Sequence, residues 1–296
     1  MANIVYMARS AWTGLLDTIR SKAGITGSMT VSQAADAVNS ITGGDDRFDK
    51  LVKRTITEAS GSVSFIGSYA FIGCGSLTTV NFSNVTSVFP SAFQNCQKLQ
   101  DVSIPYVSYI GDNAFNSCQS LQEISFPVLS RVDSSAFAQC SKLTSVSVPS
   151  LSSIGANAFA SCKALSVIDL PLVSFIPQAV FANCTSLTDV SLPEASTIGT
   201  NAFQSCWALS TLSLPKVSFI SASAFRYCFN LLSLYMLGSY VARLTGYPFS
   251  STPIGGYTTS TGGVYGSIFV PASLYDQYIS AAYWSSYSSR FVSVSE

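Results

Sequence analysis

Histidine is absent from all 296 residues. That removes the commonest general base, the commonest metal ligand and every Ser-His or Cys-His nucleophile. Charge is scarce: 10% of residues are charged, with 15 basic and 15 acidic side chains and a formal net charge of zero. Nucleic-acid binding needs clustered Lys and Arg, so no nucleic-acid partner is expected. Mean hydropathy is +0.36, yet polar residues interrupt every apolar run well short of about 18 residues. No membrane insertion is expected. Residues 1–20 hold no basic segment followed by an apolar stretch and a cleavage site, so no secretory signal is visible and export by that route is not expected.

Cysteine is missing everywhere except at eight positions, and these fall 22 residues apart without exception, from Cys74 and Cys96 to Cys206 and Cys228. A fixed period of this kind means one structural unit copied and stacked. Other columns share the register. Three residues before each cysteine stands a phenylalanine (Phe71 to Phe225), and three after it a leucine (Leu77 to Leu231). Six after it is aliphatic and eight after it apolar, as in Val102 and Ile104.

One unit reads as follows. Val102 and Ile104 alternate with Asp101 and Ser103, a short strand with one buried face. Pro105, and proline at the same place through Pro215, lacks an N–H and ends the strand. Val107 and Ile110 turn inward on the return side. Gly111 suits a tight turn, and residues 112–118 read as one short helical turn whose Phe115 fills the interior. Twenty-two residues are too few for a pair of helices. The expected fold is therefore an α/β repeat solenoid of eight 22-residue repeats: a right-handed leucine-rich coil with a parallel sheet on its concave face. The expected organisation is a helical module over 1–45, a cap and linker over 46–65, the solenoid over 66–237 and a cap over 238–296. In the first module, Trp12, Leu15, Leu16 and Ile19 have helical spacing, and Thr30 with Gln33 makes a capping box.

Ile110-Gly111, Ala114-Phe115, Cys118, Leu121, Ile124 and Pro127 carry a pattern, repeated from Ile66 to about Leu237, that resembles the BspA-like leucine-rich repeats. Val107 and its equivalents stand where the general leucine-rich pattern has Asn or Cys, so no asparagine ladder is expected. The serine column one residue later (Ser108, Ser130, Ser152, Ser174, Ser196, Ser218) is expected to bond the backbone instead. One repeat is irregular, with Pro177 and Val180 for the usual Gly and Ala. Residues 11–41 are similar to N-terminal modules of prophage and tail-associated proteins of gut Firmicutes. The end of the chain resembles the ending of gut-bacterial BspA-like proteins. The resemblance implies a surface or adhesion protein, located on a cell surface or virion; without it the expectation is cytoplasmic.

The cysteines could form disulfides, a metal ladder or a core column. Stacked side chains point alike, against disulfide geometry, and a spacing of 22 does not converge on a zinc ion. They read as reduced packing thiols. No catalytic residue, metal or cofactor is expected. Candidate binding residues are Asp101, Glu123, Asp169 and Asp189 on the strand face, with Asp101 and Glu123 on adjacent coils, and Tyr235, Tyr257, Tyr265 and Trp284 among the aromatics that crowd the C-terminal end. The alternatives are a solvated strand face and rings used to seal the last coil. The expected function is non-enzymatic recognition of an unidentified protein or surface glycan, adhesin-like or prophage tail-associated. A structural spacer is the alternative, and a hydrolase is disfavoured.

Overall fold

The computed structural model describes residues 56–61, 63–257 and 265–295. The expected helical module over 1–45 lies outside the described residues. Each regular coil contributes three features. A strand triplet such as Asp101–Ser103 is followed by a strand pair such as Tyr109–Ile110 and then by a turn carrying Phe and Cys. Successive triplets and successive pairs run parallel. Both rows outrun the eight regular repeats. Glu58–Ser60 already pairs with Thr79–Asn81, while Arg243–Leu244 and Ser267–Pro271 extend the two rows at the other end.

The segment expected to form a helical turn is not helical. Residues five and one before each regular cysteine lie in the left-handed region, as in Asn113 (φ 55°) and Ser117 (φ 62°). Asn and Ser tolerate this region better than bulky residues do. The N–H groups of the two left-handed residues and of the phenylalanine between them therefore point to the next coil, while the alternate ones bond back three residues within the turn, as Ala114 N does to Gly111 O. Phe93 N donates to Ala114 O at 2.7 Å, Phe115 N to Ala136 O at 2.7 Å, and this bond recurs without a break to Phe225 N and Pro248 O at 2.9 Å. Inside this ladder the phenylalanine rings stack, 5.0 Å apart between Phe93 and Phe115. The stack runs on to Phe249. Its widest regular step, 6.0 Å between Phe159 and Phe181, falls where Val180 replaces alanine.

Pro177 also leaves a mark. At its position Gly155 N donates to Val132 O and Gly199 N to Ile176 O. Proline has no N–H to give, and the row of strand pairs is interrupted there, into one group ending at Ser153–Ile154 and another starting at Phe175–Ile176. The serine column behaves as expected elsewhere: Ser108 Oγ donates to Thr86 O at 3.2 Å, Ser130 Oγ to Ser108 O at 3.1 Å and Ser218 Oγ to Ser196 O at 3.1 Å. Ser174, at the interruption, makes no such bond to Ser152.

A second period, of two coils, overlies the first. Thr79–Asn81 pairs with Asp101–Ser103, Glu123–Ser125 with Ser145–Ser147, and Val167–Asp169 with Asp189–Ser191. No strand hydrogen bonds link one of these pairs to the next. The sequence alternates in step. Asn113, Asn157 and Asn201 alternate with Ser91, Ser135 and Ser223 in one left-handed column. Glycine occurs in alternate coils, at Gly67, Gly111, Gly155 and Gly199. Gly67, Gly111 and Gly199 each open a tight turn, Ala114 N donating to Gly111 O at 3.2 Å, but none has a positive φ, so left-handed backbone is not what requires glycine there. At Gly155 a Cβ would lie 2.4 Å from Ser134 N, and at Gly111 2.9 Å from Pro90 N. Glycine is required because the preceding coil's backbone is that close.

The C-terminal end seals the stack. Phe249 prolongs the phenylalanine column, and Thr252, fully buried, follows it where a regular coil has cysteine. Beyond Ser267–Pro271 come a 3-10 turn (Ala272–Leu274), one short α-helix (α1, Tyr275–Ser280), a kinked 3-10 segment (Trp284–Arg290) and a final parallel strand, Phe291–Val294. Trp284 and Tyr287 pack against Phe249, and Tyr278 and Phe291 pack against Trp284 behind them. Leu231, Leu234 and Met236 of the last regular coil are thereby buried.

Candidate functional site: a polar trough on the strand face

The first opening in the triplet row, between Asp101–Ser103 and Glu123–Ser125, has become a trough of about 640 Å³. Strands position its side chains by alternation: Val80 and Ile124 point into the core, while Thr79, Asn81, Asp101, Ser103, Glu123 and Ser125 stand outward. Gln100 and Gln122, each just ahead of a triplet, add amides. Val102 is only partly buried beneath the opening. Asp101 and Glu123 are the only charged groups of the lining. The trough therefore offers hydroxyls, amides and two carboxylates to a ligand that is itself polar.

The sequence-based candidates separate into groups. Asp101 and Glu123 are exposed and line the same trough, as adjacency suggested, but their strands are not hydrogen-bonded to one another. Asp169 and Asp189 are exposed on one bonded pair of strands farther along the array. Tyr235 is partly buried, its ring stacked 4.5 Å from Phe269. Tyr257 and Tyr265 are each 51% exposed, the latter with the Arg290 guanidinium 3.9 Å from its ring centre. Trp284 does not belong to a binding surface. It is fully buried, its Nε1 donates to Ala242 O at 2.6 Å, and its ring meets Tyr278 edge-on at 5.3 Å. A large ring with one polar tip suits the interior of a cap as well as it suits an interface, and the sequence alone does not separate the two. Gln100 and Gln122 were missed, because they precede the alternating triplet from which the outward positions were read.

The cysteines form a column inside the array, all eight buried and none in a disulfide. Each from Cys96 to Cys228 donates Sγ–H to the carbonyl of the phenylalanine 25 residues earlier, as Cys140 does to Phe115 O at 3.2 Å. Burial pushes the Cys140 and Cys184 thiols up to about 12 and raises those of Cys118, Cys162 and Cys206 as well. These groups are protonated donors at neutral pH, the opposite of a reactive thiolate. One charged cluster lies on the strand-pair row. Tyr109 Oη donates to Asp133 Oδ2 at 2.6 Å, and Arg131 Nε bonds Asp133 Oδ1 at 2.7 Å. Burial first, then the Asp133 hydrogen bond, push the Tyr109 phenol up to about 12, so it is a neutral donor. Among the described residues no group of three His, Cys, Asp or Glu side chains converges to hold a metal ion. No helix among them is long and apolar enough to cross a membrane.

Comparison with known proteins agrees with this architecture. The family described as BspA type leucine rich repeat region matches over residues 39–166 and 108–232, with 6 copies. A leucine-rich repeat protein of Treponema pallidum (TpLRR) is 30% identical, with 52% of this chain and 79% of that one covered and a TM-score of 0.49. A leucine-rich repeat protein of Bacteroides ovatus shares the fold at 21% identity and a TM-score of 0.52, covering 80% and 68% of the two chains. A leucine rich cell surface protein of Faecalibacterium prausnitzii is 20% identical, with 62% and 73% covered and a TM-score of 0.35. No curated protein matches.

Proposed function

Because the chain belongs to the BspA-type leucine-rich repeat family, we propose that it is a non-enzymatic recognition scaffold that captures a protein or surface glycan on its strand face. The observation that carries this reading is the open trough over four strands, lined by hydroxyls, amides, Asp101 and Glu123. Polar side chains stand along the trough, over a floor of Val80, Val102 and Ile124. Family membership supports a location on a bacterial surface, and the likeness of residues 11–41 to tail-associated modules supports a prophage tail as the alternative. The test is to screen the full chain on glycan and protein arrays and to repeat the screen with the double variant Asp101→Asn, Glu123→Gln. The expected result is a ligand whose binding falls at least tenfold in the variant at an unchanged melting temperature. Loss of no ligand would remove the trough from the account.

A spacer between terminal modules is the second reading, and burial of Trp284, Tyr278 and Tyr287 in the cap favours it. Tyr247, Tyr257 and Tyr265, at 51–60% exposure, weigh the other way.

A further inference from the structure

The last two regular coils break the pattern of the other six at the same corner. After the cysteine, the first six coils carry Gly, Gln, Ser, Lys or Thr; the last two carry Trp207 and Phe229. Before the cysteine, seven coils carry Gly, Asn, Ser or Gln; the last carries Tyr227. Tyr227 holds the left-handed conformation of its column, φ 63°. A bulky residue there is strained, and retained strain is a pointer to function. These rings lie outside the stacked column of Phe225, Phe249 and Trp284, and none of them is fully buried. Trp207 is 50% exposed and Tyr257 51%.

The rings form one patch. Phe229 lies 6.5 Å from Trp207, 5.9 Å from Tyr227 and 5.6 Å from Tyr257, with interplanar angles of 35–45°. Arg226 sits 4.5 Å over the Tyr227 ring and donates to its hydroxyl at 2.6 Å, and Asn230 donates to the Trp207 carbonyl at 2.7 Å. Four partly covered rings present on the order of 300 Å². That is far short of the roughly 800 Å² per partner of a stable protein interface. A single arginine, already engaged, is no footprint for nucleic acid. What fits a small, tilted set of aromatic faces with one cation at its edge is the C–H face of a sugar ring, whose hydroxyls remain free to meet Arg226 and Asn230 alongside.

We propose that Trp207, Tyr227, Phe229 and Tyr257 form a stacking platform for the pyranose rings of a neutral glycan, separate from the trough at the other end of the array. The test titrates the full chain with cellopentaose and mannopentaose and follows Trp fluorescence and calorimetry. At least one pentasaccharide is expected to shift the emission. Binding should fall tenfold or more in Trp207→Ala and Tyr257→Ala and persist in Trp207→Phe. Tyr227→Asn gives the sharpest separation. It restores the residue type of the column, so it should raise the melting temperature while weakening the saccharide, whereas a merely structural tyrosine would lose stability. Pentasaccharides that leave the emission unchanged, or bind Trp207→Ala equally well, would overturn the proposal. So would a platform that captures only a protein on the arrays. The trough variant Asp101→Asn, Glu123→Gln should bind the pentasaccharide normally, so failure of one site is distinguishable from failure of the other.

Discussion

A thiol is a small hydrophobe with one weak donor, and this column uses both properties. Alanine would fill the space less well and leave the phenylalanine carbonyl without its second donor; serine would bury a stronger polar group. The column also makes the fold sensitive to alkali. A buried thiol with a raised folded value keeps its proton after the unfolded chain has lost its own near pH 8.5. Above that pH the unfolded state binds fewer protons, so stability falls as pH rises, until the folded value near 12 is reached for Cys140 and Cys184. Each such thiol contributes a loss of about 1.4 kcal/mol per pH unit in that window. Urea midpoints should therefore change little from pH 6 to 8 and drop steeply from pH 9 to 10.5; a flat profile would mean that the thiols are not buried in the folded state. Replacing Cys140 with Asp should cost several kcal/mol, since it buries an unpaired charge, and a midpoint near that of the unmodified chain would contradict the buried column.

Among the elements, the strand triplets were readable because alternation of apolar and polar residues is a direct print of a half-buried strand. The serine ladder was readable because a serine at one register in stacked coils has a carbonyl within reach. The turn was misread. Residues 112–118 have helix-compatible composition, and only the two left-handed columns, with their Asn and Ser, distinguish a turn ladder from a helix. The two-coil period was also in the sequence, at Gly111, Gly155 and Gly199, but one unit read alone cannot reveal an alternation between units. The glycines give a controlled comparison. Gly155→Ala would drive a Cβ to 2.4 Å from Ser134 N, whereas a Cβ at Gly75 meets nothing within 4 Å. Gly155→Ala should lower stability by about 2 kcal/mol or more. Gly75→Ala should be neutral or stabilise by about 0.4–1 kcal/mol through the unfolded chain. Chemical denaturation of both variants checks this, and equal effects would contradict the close coil contact.

Over the whole molecule, stability is a sum of neighbour contacts, and an open end is a weakness. The cap around Trp284 closes one end, so deleting residues 239–296 should cause fraying or aggregation of the last coils, seen as a lower melting temperature and larger particles in scattering. A monomer with unchanged melting would mean that the segment is an appendage. The trough that carries the recognition reading lies at the first of three places, two coils apart, where strand hydrogen bonds lapse between triplets, while the turn ladder is continuous. Amide hydrogen exchange resolved by residue tests this arrangement most directly. Gln100, Thr144 and Thr188 donate their N–H groups to the preceding coil, to Thr78 O, Gln122 O and Ser166 O. The equivalent N–H groups of Gln122, Ser166 and Ser210 have no such bond. The expected result is an alternation along the array, slow exchange at the first three and fast at the second three, with uniform protection of Phe93, Phe115 and Phe137 in the turns. Equal protection at all six strand positions would contradict the two-coil unit and close the trough.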